Sequence, residues 1–161
     1  MNSKLLIAAA LMLFSPDAVF AHDDHDHHVT EAGSIRIVHP WARAAQSGKN
    51  TLVFMNIENS GAQDVLVEAK TDAAGEARIV GVTLKDGQAA VQEIGEIEIP
   101  AGSFTLDPAG LAVELAGLTK ALQKGDEFEL ELVFKNAGEI HLHVEVEDAN
   151  ARQHGHAGHS H

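Results

Sequence analysis

The chain has 161 residues, with 24 acidic and 11 basic side chains for a formal net charge of −13, eleven histidines and no cysteine. So acidic a surface excludes nucleic acid as a partner, because binding phosphate needs clustered Lys and Arg, and it raises the local concentration of cations instead. The missing cysteine excludes disulfides, thiolate metal sites and thiol nucleophiles.

Residues 1–21 read as a signal peptide: Lys4 in a short basic start, an apolar run from Leu5 to Phe14, and a small-residue exit at Val19-Phe20-Ala21. That run falls well short of the roughly 20 residues needed to cross a bilayer, and no later stretch approaches it, so no membrane span is expected. Export suggests a bacterial periplasm. The remainder is long enough for one domain with a real core and too short for two comfortable ones.

Four histidines and three aspartates follow in His22-Asp23-Asp24-His25-Asp26-His27-His28. This stretch is too polar for any core and is expected to attract a cation. Cleavage after Ala21 would make His22 the first residue of the mature protein. Its α-amine and ring Nδ1 could then chelate one ion, and a further imidazole would complete a histidine brace. Residues 22–33 are read as this His/Asp-rich segment.

The folded body is expected over 34–148. Ser34 to His39 alternates and should stop at Pro40, which has no N–H to give to a ladder. His39 is read there as a packing or capping residue, and Trp41 as packing on the sheet edge. Thr51 to Glu58 is apolar on both parities, so both faces should be buried and Met55 should be core. Val65-Leu66-Val67 starts another strand.

Ile79 to Leu84 leads into Asp86-Gly87, a hairpin signal because that pair accepts the positive φ of a tight turn. Ala89 to Ile99 reads as one or two strands broken near Gly95. Phe104 and Leu106, then Leu111 to Leu115, continue the pattern, and only Leu118 to Lys124 could form a helical turn.

Phe128, Leu130, Leu132 and Phe134 alternate with Glu127, Glu129, Glu131 and Val133. Ile140, Leu142, Val144 and Val146 share one face of the last strand, and His141, His143, Glu145 and Glu147 the other. Some eight strands with Gly and Pro turns predict an all-β fold, an antiparallel β-sandwich. The tail 149–161 carries His154, His156, His159 and His161, read as scavenging or capture residues. Both histidine-rich flanks should be mobile without metal.

The blocks His39-Pro40-Trp41-Ala42-Arg43-Ala44, Val53 to Asn59, Ile97 to Gly102, Gly117-Leu118 and Leu122 to Asp126 resemble the PCu(A)C family of periplasmic copper chaperones. The resemblance runs from about Ile35 to Val146 and implies a cupredoxin-like β-sandwich that handles copper. Family members typically hold Cu(I) with two His and two Met spaced close to H-x10-M-x21-H-x-M. Aligned on Asp86-Gly87 and Gly117-Leu118, those positions fall, within a residue, at Val80, Val91, Ala112 and Glu114, none of them a usual copper ligand.

A replacement site is therefore expected at His22, with His25, His27, His28, His141 and His143 as further imidazoles. Residues two apart on a strand share a face about 7 Å apart, so His141 and His143 could both face an incoming segment. Amine and imidazole donors suit Cu(II), which tops the divalent affinity order. The expected partners are this metal ion and, for delivery rather than storage, a periplasmic copper acceptor. The competing reading is a broad Zn/Ni/Cu buffer acting through both tails. With one Trp, no Tyr and no nucleophilic constellation, an enzyme is not expected.

Overall fold

The computed structural model describes residues 29–85 and 88–155, with side chains for all of these but 84, 85, 88 and 89. His22, His25, His27 and His28, the expected leader, the expected turn at Asp86-Gly87 and His156, His159 and His161 lie outside the described residues.

Eleven strands make one curled sheet: β1 (Val29–Ala32), β2 (Ile35–Arg43), β3 (Thr51–Asn59), β4 (Asp64–Lys70), β5 (Ala74–Lys85), β6 (Gln88–Glu93), β7 (Ile97–Ile99), β8 (Gly102–Leu106), β9 (Leu111–Leu118), β10 (Glu127–Phe134) and β11 (Gly138–Glu147). Their order is β6-β5-β9-β3-β2-β11-β10-β4-β7, with β1 on β2 and β8 on β3. The curl turns one face of the sheet onto itself. Ile35, Ile37, Val53, Ile57, Leu66, Ile79, Val113, Leu130, Leu132, Leu142 and Val144 meet there in one core. The all-β, cupredoxin-like expectation holds.

Period-two patterning explains why these segments pair as they do. On β10, Phe128, Leu130, Leu132 and Phe134 are buried, and on β11 so are Ile140, Leu142, Val144 and Val146. The two strands are antiparallel with Leu130 opposite Leu142, so one apolar row lies against another and a slip by one residue would turn both rows to water. Lys85 pairs with Gln88 across the expected β5–β6 hairpin. β11 runs parallel to β2, with Glu145 opposite Trp41 and Glu147 opposite Arg43.

Four expectations need correction. β1 extends the sheet to Val29, inside the segment read as a polar flank, because its backbone pairs with the exposed edge of β2. β5 begins at Ala74 rather than Ile79, held along its length by β9. Leu118 to Lys124 is not helical: Leu122 makes an isolated bridge with Ala45 and is buried. Pro40 does not end its strand. β2 passes through it by a register shift between Val38 and Trp41, a bulge in which the missing N–H leaves no gap in the ladder.

That bulge carries a strained residue. His39 has φ +50°, the one positive value off glycine among the described residues. An L-residue there costs roughly 1–2 kcal/mol. Trp41, expected on an edge, is buried beneath it, its ring 4.7 Å from that of Phe54. With Val80, Val82 and Ala112 these rings form a second, smaller apolar cluster on the other side of the sheet.

Candidate metal centre

β11 carries His141, His143, Glu145 and Glu147 on its outer face, and the structure treats the two pairs differently. His141 and His143 are exposed, as the alternation predicts. His141 Nδ1 lies 3.1 Å from Glu129 Oε1, and its Nε2 lies 3.7 Å from Glu131 Oε2. Lys70 Nζ donates to Glu131 at 2.7 Å, and this hydrogen bond holds the Glu131 carboxyl below its ordinary range. These groups line a broad concavity of about 740 Å³.

The other half of the strip is covered. Glu147 is 5% exposed, and the residues over it come from the C-terminal segment. Arg43 Nε donates to the Ala151 carbonyl at 2.8 Å, while burial and the nearby Arg152 lower the Arg43 guanidinium below its usual pKa. Gly155 N–H donates to Glu147 Oε1 at 2.5 Å. A Cβ on Gly155 would sit 2.8 Å from that same oxygen, so a larger residue there would push the carboxylate aside.

His154 is the residue that sequence reasoning misplaced. Read as a capture residue in a mobile tail, it is 2% exposed. Its Nε2 is 2.9 Å from Glu145 Oε2, and its ring stacks on that of His39 with centroids 5.3 Å apart and planes at 15°. Polar segments can be held where their imidazoles, amides and carboxylates satisfy one another. His39 thus packs, as read, and its partner is His154, toward which the bulge at Pro40 turns its ring. A cavity of about 170 Å³ opens beside the pair, lined by His39, Trp41, Met55, Asp107, Arg152 and His154. Met55 is buried in the main core, as expected.

Glu145, Glu147 and His154 each offer a ligand atom within 4.8 Å of the others. Glu131, Glu139 and His141 do the same at the exposed end, where Lys70 lies 2.7 Å from Glu131 and 3.8 Å from Glu139. No signal in the sequence joins His39 to His154, which lie 115 positions apart.

The resemblance aligns Val80, Val91, Ala112 and Glu114, within a residue, with the family's copper ligands. Val80 and Ala112 are buried in the small apolar cluster, and Val91 is 42% exposed. Glu114 is buried beside Arg78, whose Nη2 donates to it at 2.6 Å, and it accepts a second bond from Asn50 Nδ2 at 3.0 Å.

Comparison with known proteins gives a consistent picture. The profile of the LpqE-like lipoprotein family matches residues 35–146. The apo PCuAC domain from PmoF1 is 31% identical, with a TM-score of 0.64, and the alignment covers 75% of this chain and 99% of that one. The copper-bound PCuAC domain from PmoF2 is 28% identical with a TM-score of 0.63, covering 75% and 98%. The Cu(I) form of DR1885 from Deinococcus radiodurans shares the fold at 24% identity and a TM-score of 0.55, over 70% of this chain and 78% of that one. No curated protein sequence matches.

Proposed function

The chain belongs to the LpqE-like family, and from that membership we propose that it is an exported copper-binding protein of the chaperone type, a carrier rather than an enzyme. One of the PCuAC domains it resembles was solved with copper bound. The copper is cargo, taken up as Cu(II) by a mature N-terminal His22 through its α-amine and ring. Further imidazoles come from His25, His27, His28 and from the body's His141 and His143, for delivery or storage.

The observation that carries this reading is the register of β1. Val29 is opposite Val38, one residue from His39, and β2 lies beside β11. Seven residues span at most about 23 Å, so a segment tethered at Val29 has the outer strip of β11 within range. His143 lies two residues before Glu145, about 7 Å along the strand. The usual ligand positions support the same direction: Val80 and Ala112 offer no donor, and Glu114 is engaged by Arg78. A nitrogen-rich site favours Cu(II) over Cu(I).

Release would follow from proton competition. Imidazole and α-amine have reference pKa values of about 6.5 and 8, so both lose the metal on acidification. The reading is tested by adding one residue ahead of His22. The tightest Cu(II) step should disappear and its EPR parameters should change. Unchanged affinity and spectra would rule out the brace, and several graded equivalents of Cu, Zn and Ni with no privileged residue would favour the buffer.

A further inference from the structure

The two ends of the sheet are finished differently. β7, at one end, is three residues long, carries Glu98 at its centre and runs into Pro100. Short, charged and proline-flanked edges resist pairing with another chain. β6, at the other end, is six residues long, with Glu93 its one charge and neither lysine nor proline. Val91 and, just past the strand, Ile94 are each 42% exposed, two of the three large apolar side chains left exposed among the described residues.

Hydrogen bonding on β5 fixes which backbone groups of β6 are left over. Val82 N–H donates to the Gly110 carbonyl at 2.6 Å, away from β6, whereas the Ile79 carbonyl accepts from Ile94 N–H at 3.0 Å. In an antiparallel ladder the bonding direction alternates along each strand. Gly81 and Thr83 therefore bond toward β6, and their partners Gln92 and Ala90 bond back. Ala89, Val91 and Glu93 turn N–H and C=O outward, where β6 has no neighbouring strand.

Charge decides what can approach that edge. Outer positions on β4, β10 and β11 carry Glu68, Glu127, Glu129, Glu131, Glu139 and Glu145, so two copies meeting there would repel. At β6 an antiparallel two-fold pairing centred on Val91 sets Val91 against Val91 of a second copy, and Glu93 against Ala89. No acid then faces an acid across the new ladder. This register joins outward residues to outward residues, for roughly six backbone hydrogen bonds, and brings the two exposed Val91 side chains together on the axis.

We propose that the outer edge of β6 is an association edge for a second copy of this chain, continuing the curled sheet across a two-fold axis. One strand pair buries less than the roughly 1,000 Å² of a stable interface, so the dimer is weak and forms as concentration rises. It needs no metal and is independent of the N-terminal amine.

The test is sedimentation velocity of the purified protein from micromolar to millimolar concentration, with chelator present so that histidines cannot join copies through a metal. The sedimentation coefficient should rise toward that of a dimer, and amide exchange at Ala89, Val91 and Glu93 should slow over the same range. Val91→Pro removes an outward N–H without touching the β5 ladder and should weaken association about tenfold or more. Val91→Lys keeps that N–H but sets two cations together on the axis, and should weaken it by about as much. The unfolding midpoint checks each variant, and Val91→Lys decides if the proline variant fails to fold. A parent that stays monomeric throughout, association that chelator abolishes, or equal association in Val91→Lys and the parent would overturn the proposal.

Discussion

The two halves of β11 share a strand, an outer face and nearly the same chemistry, yet one is a solvated surface and the other a covered pocket. His141 and His143 face water beside Glu129, Glu131 and Lys70, where ion pairs are screened and weak. Glu145 and Glu147 lie under residues 151–155, where His154 is 2% exposed. Alternation along a strand decides which face a residue takes. Whether that face is wet depends on what returns to cover it.

The inner face offers the largest test of the comparison. Leu142 is 1% exposed and belongs to the single core that lies beneath both halves of the strand. Leu142→Ala should cost about 2–5 kcal/mol in urea unfolding and should destabilise both halves together. Loss of cooperativity with only one half released would show that they are separately held.

Asp64 sharpens it next, as a buried carboxylate that the fold itself satisfies. Burial pushes its pKa up, but the hydrogen bonds from Val65, Asn136 and Ala137 outweigh this and leave it below the ordinary value. The stabilisation is therefore present above about pH 4, the unfolded value, and is lost as pH falls through the lower folded value. Asp64→Asn should cost about 1–3 kcal/mol at neutral pH, and this part of the acid-limb slope should vanish. An acid limb identical to the parent's would mean that Asp64 does not contribute to it.

The smallest effect belongs to the exposed half. His141→Ala should leave the metal-free unfolding midpoint unchanged, since the ring is half in solvent and its neighbour Glu131 keeps Lys70. A clear loss of stability would mean that the two halves differ less than their burial indicates.

Much of the fold was legible in the residues. Phe128, Leu130, Leu132 and Phe134 against intervening acids fixed β10 and its inner face, and the same period fixed β11. The Asp86-Gly87 signal matched the pairing of Lys85 with Gln88. Pro40 misled because a proline can sit in a bulge as well as at a strand end, and Leu118 to Lys124 misled because apolar residues near Ala45 bury without a helix.

Of the candidate site, the sequence by itself determined only a run of imidazoles and acids at 22–28 and an outward His/Glu strip on the last strand. Those follow from residue type and a period of two, which are local properties. Only the tertiary structure decided that His39 and His154 stack, that Glu147 is buried, and that β1 starts beside them. These depend on a bulge in β2 and on a polar C-terminal segment folding back across β11. The His39–His154 stack and the Arg43–Ala151 hydrogen bond join residues more than a hundred positions apart, with no periodicity to announce them.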